Sequence, residues 1–328
     1  MKRIQFIMIA LITLVLKSCY RDIDMEKYRP EPDLVLSGVV SADTNIMLSI
    51  SRTKFFTDTS RYEVIHDADV SLSVNGVFLE KMQWTTDESF YGGGIYLSTY
   101  KPQTADIIRI NAETKYGEVW VEETMPSKVL IEDVQFSHKL IYDHQGFMID
   151  KNGNIIGAPT MEITYRITFT DNATQTNFYL IRIENPSHSF VGILDYSLDP
   201  VFAEQVSVLD GLFGDRKIQG QGGRSFTDKM INGQCYTIVV KEAQTSAIYD
   251  YAPALGRRIL LYSITESFYQ YLTTMQKASD AENSINLSTF GFAEPVRIFT
   301  NIHGGLGIIA TSQYDEYEID LNDILKDF

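Results

Sequence analysis

The chain has 328 residues, of which 28 are basic and 43 acidic, so its formal net charge at pH 7 is −15. This balance excludes nucleic acid as an expected partner, and electrostatic docking to anionic lipid, because phosphate groups repel an acidic protein. Apolar residues make up 44% of the sequence, which supplies a core for one or two domains of ordinary size.

The amino terminus has the pattern of a secretory signal peptide. Two basic residues precede an apolar run over residues 4–16. This run is too short for a transmembrane helix, which needs about 20 apolar residues, and it has the length of a signal-peptide core. The run leads into Leu16–Cys19, where an aliphatic residue stands three positions before the cysteine and a small one directly before it. We predict a signal peptide over residues 1–18 and lipidation of Cys19. The alternative is an ordinary secretory signal with an incidental cysteine, and Lys17 is unusual in the lipidation pattern.

Acidic residues follow the cysteine closely. Asp22, Asp24 and Glu26 lie in a segment, residues 19–32, that we predict to be a lipidated acidic linker directing the protein to the cell surface. The alternatives are a solvated linker whose charges only keep it extended, and a location on the periplasmic face of the outer membrane. Cleavage would leave 25 basic and 43 acidic residues and a net charge of −18, so the lipid would have to hold the protein at the membrane.

Residues 33–126 predict an immunoglobulin-like or transthyretin-like β-sandwich. Leu34–Val40 has the branched apolar composition of a strand, and period-two alternation follows over residues 47–51 and 70–74. Asn75-Gly76 between two such runs predicts a tight hairpin, since both residues tolerate positive φ. Further short strands are predicted at residues 77–79, 95–97, 107–112 and 118–121.

Residues 127–328 predict a larger antiparallel β domain, with the boundary at Thr124–Pro126. The strongest alternation in the chain lies at residues 163–169. Residues 210–233 are rich in glycine and polar side chains and predict long loops. One short helix is predicted near residues 263–278, beginning with a capping box from Ser263 to Glu266. Further strands are predicted at residues 129–139, 178–184 and 236–240.

No metal or cofactor motif is present in the sequence. The five histidines form no HExxH pattern, although a zinc site assembled from distant strands stays open. A loop that begins at Asp150 resembles a calcium-binding loop, but its glycine is misplaced and Met161 stands where a bidentate glutamate is required. Asn152-Gly153 within it fits a hairpin turn better. We predict no metal and no cofactor.

Catalytic motifs are also missing from the sequence. The glycine clusters around residues 220–223 and 304–307 lack the lysine and hydroxyl residue of a phosphate-binding loop, and there is no Gly-x-Ser-x-Gly elbow. We therefore assign no catalytic residue and predict that the protein is not an enzyme. Cys235 lies in a strand-like run and is predicted to be a small buried hydrophobe. Seven aromatic residues near the glycine-rich loops are predicted to fill the core rather than a ligand surface: Phe178, Tyr179, Phe190, Tyr196, Phe202, Phe213 and Phe226.

Six segments together resemble an uncharacterised family of Bacteroidota lipoproteins, a domain of unknown function. The segments are Cys19 with the acidic stretch behind it, Pro32–Gly38, Thr124–Pro126, Ile231–Gln234, Ser267–Leu272, and Ala293–Ile302 running into Gly304–Ile308. Members of that family are often encoded beside TonB-dependent receptors. The resemblance implies an outer-membrane lipoprotein that cooperates with such a receptor, and it implies no catalytic residue.

These observations predict a binding or accessory component of a TonB-dependent nutrient-uptake system. It would be attached to the outer membrane through its N-terminal lipid, with a ligand that the sequence does not name. A structural or adhesive envelope protein is the first alternative. A hydrolase whose active site is dispersed over the sequence is the second.

Overall fold

The computed structural model describes residues 24–42, 44–59, 63–86, 93–149, 155–186, 191–205, 219–220, 223–245, 256–283 and 296–321. These residues form a mainly β protein with several antiparallel sheets and a single α-helix, which confirms the predicted fold class. The strands are β1 (Leu34–Ser41), β2 (Met47–Arg52), β3 (Asp69–Val74), β4 (Val77–Lys81), β5 (Gln83–Thr86), β6 (Gly94–Leu97), β7 (Ile107–Thr114), β8 (Gly117–Thr124), β9 (Ile131–Ile149), β10 (Ile155–Thr170), β11 (Phe178–Glu184), β12 (Ile193–Asp195), β13 (Gln219–Gly220), β14 (Arg224–Thr227), β15 (Cys235–Thr245), β16 (Gly256–Ile264) and β17 (Leu306–Asp320). The helix is α1 (Glu266–Asn283), and short 3₁₀ helices occupy Met25–Tyr28, Pro200–Gln205 and Asp228–Met230.

The strands form three sheets, and the largest of them contributes residues to both hydrophobic cores. Its order is β14-β11-β16-β17-β1-β2-β6-β5. The central strand, β17, pairs antiparallel with β16 and parallel with β1, so the carboxyl-terminal strand lies beside the first strand of the chain. The two other sheets, β4-β3-β7-β8 and β13-β12-β15-β10-β9, each cover one half of the large sheet.

The first sandwich packs β4-β3-β7-β8 against the β1-β2-β6 half of the large sheet. Inward-facing residues such as Leu36, Leu72 and Ile110 are fully buried between the two sheets. The predicted Asn75-Gly76 hairpin is confirmed, with φ of 53° and 78° at its two residues. Period-two alternation therefore sets both the strands and the face that each presents to the core.

The second sandwich packs β15 and β10 against β11 and β16. Along β10 the residues Ile163, Tyr165 and Ile167 are fully buried, while Arg166 between them is exposed, as the alternation predicts. Four of the aromatic residues predicted to be core lie in this interior, with ring centroids 5.2–6.2 Å from a neighbouring ring: Tyr179, Tyr196, Phe202 and Phe226. Phe190 and Phe213 lie outside the described residues.

The two sandwiches lie end to end along β17. Residues 306–312 of this strand pair with β1, and residues 312–320 pair with β16. A strand of this length extends about 50 Å, which spans both units. Ile302 and Ile309 belong to the first core, so that core is built from both ends of the chain.

The predicted helix is confirmed, but its amino-terminal cap is not the predicted one. Ser263 is a residue of β16, where it pairs with Tyr179 and Gln313, so it does not begin the helix. Thr265 occupies the cap position instead: its hydroxyl accepts a hydrogen bond from the Phe268 amide at 3.4 Å. The capping-box prediction was wrong because the strand continues through the residues that carry the pattern. No helix among the described residues is both long enough and apolar enough to cross a bilayer.

Candidate functional site

The segment that leads from the predicted lipidation site is held on the surface of the first sandwich. Cys19 lies outside the described residues, which begin at Asp24. Met25–Tyr28 form one 3₁₀ turn, and the Asp24 carboxylate caps it by accepting a hydrogen bond from the Glu26 amide at 3.2 Å. Acidic side chains favour this position because the first amides of a helical turn have no backbone partner.

Arg29 fastens this turn to the loop that follows β2. Its guanidinium donates to both carboxylate oxygens of Glu26 at 2.7 and 3.0 Å, and to both carboxylate oxygens of Asp58 at 3.0 and 2.8 Å. The same group lies over the Phe55 ring, 4.8 Å from its centroid, and the Thr57 hydroxyl donates to Glu26 at 3.0 Å. We call this arrangement the Arg29 clamp. The acidic linker is therefore docked up to this point.

The Arg29 clamp lowers the pKa of both carboxyl groups. Hydrogen bonds from Arg29 are the main cause for Asp58 and for Glu26, whose ordinary values are 3.8 and 4.5. A carboxyl group whose pKa is lowered by docking stabilises the docked state fully above its undocked pKa. This stabilisation is lost as the pH falls through the lowered pKa. The clamp should therefore be complete at neutral pH and weaken below about pH 4.5.

We predict that acid releases the segment while the sandwich stays folded. A nitroxide attached through Tyr28→Cys, in a Cys235→Ser chain that begins at residue 20, should be immobilised at pH 7 and become progressively more mobile as the pH falls below the ordinary carboxyl pKa values of 4.5 and 3.8. The same label with Arg29→Gln added should be mobile at every pH. Equal mobility of the label at pH 7 with and without Arg29→Gln would contradict the role of the clamp.

Three exposed aromatic residues lie at the same end of the first sandwich as the clamp. Tyr28 is 69% exposed, Phe56 is 70% exposed and Tyr116 is 40% exposed. Tyr116 belongs to the β7–β8 turn, where the Arg52 guanidinium lies 3.8 Å above its ring and its hydroxyl donates a hydrogen bond to Glu63 at 2.5 Å. We call this surface, which comprises residues 24–33, 52–59 and 114–117, the near end.

The opposite end of the first sandwich carries the junction with the second. The Asn75 amide donates to the Ile107 carbonyl at 2.8 Å, so the β3–β4 turn lies at the start of β7, a strand length of about 25 Å from the near end. Gln313 joins the two sandwiches there, because its side-chain amide donates to Thr104 at 2.8 Å and to the Pro126 carbonyl at 2.7 Å.

A fully buried ion pair crosses the second sandwich. Arg257 on β16 donates to both oxygens of Glu242 on β15, at 3.0 and 2.8 Å, and neither side chain is exposed. The Tyr165 hydroxyl and the Gly192 amide donate to the same carboxylate at 2.5 and 2.8 Å. Burial, and then the charge of Glu242, raise the pKa of Tyr165. Because four donors already satisfy the carboxylate, this group bridges the sheets and has no position left for a substrate.

A second buried carboxylate organises the loops at one edge of the same sandwich. Asp171 accepts hydrogen bonds from the Tyr179 hydroxyl at 2.5 Å, the Asn177 side chain at 3.1 Å and the Gly233 amide at 2.7 Å. The Asn177 amide donates to Asp228 at 2.7 Å. Burial, and then the hydrogen bond to Asp171, raise the pKa of Tyr179. Asn177 thus bridges the two buried carboxylates of Asp171 and Asp228.

The structure also places the other residues that the sequence singled out. Among the described residues, no group of three or more histidine, cysteine or acidic side chains could hold a metal ion. His303 stacks on Trp120 at 3.9 Å, and His138 lies within β9, in the strand predicted at residues 129–139. Asn152-Gly153 and the start of the calcium-like loop at Asp150 lie outside the described residues, while Met161, its last position, is a buried residue of β10.

Cys235 is exposed, which corrects the prediction that it is buried. The alternation of β15 places Ile238 and Val240 in the core. Cys235 therefore faces outward, and its sulfur lies 3.9 Å from a Glu132 carboxylate oxygen. The apolar residues after it indicated a strand correctly, but they did not indicate the face on which the cysteine lies.

A family model for a domain of unknown function, DUF4249, matches residues 21–318. The chain belongs to the DUF4249 family. The comparison with curated proteins finds no match. Among solved structures, the chain is similar to a protein from Corynebacterium diphtheriae whose name describes it as membrane anchored, with 10% identity and a TM-score of 0.21. That match covers 88% of this chain, and the chain spans 59% of the length of that protein.

The segments on which the resemblance to this family rests have structural roles in the DUF4249 fold. Pro32–Gly38 leads into β1, and Gly304–Ile308 begins the part of β17 that pairs with it. Thr124–Pro126 forms the junction between the sandwiches. Ile231–Gln234 supplies the Gly233 amide to Asp171, and Ser267–Leu272 lies in α1. The predicted membership of a family of unknown function is confirmed.

Proposed function

We propose that this DUF4249 protein is an outer-membrane lipoprotein, anchored through Cys19 and exposed at the cell surface. In this proposal it is a binding or accessory component of a TonB-dependent nutrient-uptake system. The observation that carries the proposal is the amino-terminal pattern, an apolar run that ends in Leu16–Cys19, followed by an acidic segment. The Arg29 clamp supports it, since it fixes the point where an anchored chain would enter the fold.

The direction of the strands gives this proposal an orientation. β1 and β17 both run from the near end toward the junction, and β17 continues into the second sandwich. A chain anchored beside the near end would therefore hold the second sandwich on the side away from the membrane. β9 and β10 pair as far as Ile149 and Ile155, beyond the last β15 residue that pairs with β10, Thr245. This two-stranded extension would then be available to a receptor.

A binding role accounts for the site geometry better than an enzymatic one. The carboxylates of Glu242 and Asp171 are buried and already hydrogen-bonded to protein donors, so neither is presented to a substrate. Partner contact would then involve outer surfaces and strand edges. β9 forms one edge of its five-stranded sheet, and sheet edges accept a further strand from a partner.

Membrane fractionation of the native and the Cys19→Ala proteins tests the proposal. We expect the native chain in the outer membrane, with mass spectrometry finding its mature amino terminus at a lipid-modified Cys19, and the variant in the soluble fraction. Mild detergent extraction should co-purify a TonB-dependent receptor with the native chain only. A native polypeptide that starts at Met1 with an unmodified thiol would overturn the anchor. Repeated recovery without a receptor would overturn the uptake role.

One observation favours a structural or adhesive role as a second candidate. Val77, Phe78 and Leu79 are consecutive, exposed and apolar, and they lie on β4, an edge strand of its sheet. Natural edge strands usually carry charges or proline that prevent association. A deletion strain with normal nutrient uptake and reduced adhesion, restored by the native chain and not by Phe78→Ser, would favour this candidate over uptake.

A further inference from the structure

The near end presents aromatic side chains where a lipid-anchored chain would meet its bilayer. Five residue steps separate Cys19 from Asp24, the first described residue, and a fully extended chain covers at most about 3.6 Å per step. The near end would thus lie within about 18 Å of the lipidated cysteine. The length of the linker alone therefore keeps this surface close to the headgroups.

We propose that the near end contacts the headgroup layer of the membrane through Tyr28 and Phe56, with Tyr116 beside them. This inference rests on the lipid anchor in the proposed function and adds an orientation to it. Aromatic side chains are enriched at membrane–water interfaces, where an apolar ring lies at the headgroup level. Tyr28 and Phe56 are about two-thirds exposed, although each lies in a segment that the Arg29 clamp holds in place.

Two arginines at the near end are paired with carboxylates, which favours this contact. Arg29 is paired with Glu26 and Asp58, and Arg52 is paired with Glu63. Paired charges lose less free energy than unpaired ones when they approach an apolar layer. Because the mature chain is strongly acidic, anionic headgroups would repel it, so zwitterionic phosphatidylcholine is the lipid on which we expect the contact to be measurable.

The Arg29 clamp would fix the orientation of the first sandwich relative to the lipid anchor. A linker docked only at residue 33 would let the sandwich rotate freely about its anchor. With Glu26 joined through Arg29 to Asp58, the linker and the loop that carries Phe56 form one unit. One aromatic ring from each side of this joint then faces solvent, which gives two separate contacts with the bilayer.

Depth-dependent fluorescence quenching tests this orientation. The lipidated Phe56→Trp and Tyr28→Trp proteins are reconstituted into phosphatidylcholine vesicles with and without acyl-chain bromination. The signal of the native chain, from Trp84 and Trp120, is subtracted. We expect the brominated lipid to remove about half of the added emission, since interfacial side chains lie about 5–10 Å into the boundary with the acyl chains. Phe78→Trp is the matched control: Phe78 is 59% exposed and lies toward the junction, and we expect no added quenching there.

The outcomes separate this inference from the proposed anchor. Vesicle flotation is measured first, and a native chain that does not float overturns both. If the chain floats but Phe56→Trp is quenched no more than Phe78→Trp, the anchor stands and the membrane contact is overturned. As a second variant, Arg29→Gln in the Tyr28→Trp protein should lower the quenching at least twofold. Equal urea midpoints for all variants exclude misfolding as the cause.

Discussion

We expect Glu242→Leu to lower the free energy of unfolding by about 3–5 kcal/mol, because it leaves the Arg257 guanidinium buried without its counter-charge. Both side chains are fully enclosed between β15 and β16, and the carboxylate accepts both guanidinium hydrogen bonds. Urea denaturation followed by circular dichroism measures the effect, and the slope of the transition should stay unchanged.

We also expect that replacing both members of the ion pair restores the stability that Glu242→Leu removes. Replacing a buried ion pair by apolar residues of similar size is often neutral or stabilising, so Glu242→Leu/Arg257→Met should recover most of the stability. Adding Tyr165→Phe should recover more, since the tyrosine hydroxyl would otherwise be buried without its acceptor.

A neighbouring ion pair supplies the control. Arg258 follows Arg257 and pairs with Glu184 at 2.7 Å, but the side chains of Arg258 and Glu184 are each about 30% exposed. We expect Glu184→Leu to cost less than about 1 kcal/mol. If Glu242→Leu costs no more than this control, the buried pair does not bridge the two sheets.

The alternation of the strands predicts the burial of Glu242 and Arg257, although charged residues are usually exposed. Glu242 stands two residues after the buried Val240, and Arg257 stands two residues before the buried Ile259, so period-two alternation places both side chains on the core face. Charged residues at the ends of strands are usually solvated, which is why composition alone does not reveal them. Register predicts burial better than residue type at these two positions.

The pairing of β17 with β1 could not be predicted from local pattern. The run Leu306–Ala310 indicates a strand, yet nothing in it names a partner at the other end of the chain. The Arg29 clamp is a similar case, because Glu26, Arg29 and Asp58 are ordinary solvated charges in the sequence and only the fold brings them together. Short hairpins such as β3–β4 were predictable because partner and turn are adjacent.

We predict that Gly307→Ala weakens the pairing of β17 with β1 in the first sandwich and costs about 3 kcal/mol or more. Gly307 has φ of +107°, a backbone conformation that L side chains rarely adopt. An added Cβ would lie 2.1 Å from the Leu36 carbonyl oxygen, on the strand that β17 pairs with. Since that oxygen belongs to the β1 backbone, the collision cannot be relieved by rotating a side chain. The parallel ladder would have to move apart.

Gly76→Ala is the control that measures the cost of backbone strain alone, without the steric collision that the added Cβ makes at Gly307. Gly76 also has positive φ, +78°, but no atom lies within 4 Å of its added Cβ, so we expect a cost of only about 1–2 kcal/mol. Urea denaturation compares the two variants, and hydrogen exchange should show faster opening of the β1 and β17 amides in Gly307→Ala alone. Equal stability losses would mean that the ladder tolerates a side chain. In that case the close approach of the two strands at Gly307 would not be required for the pairing of β17 with β1.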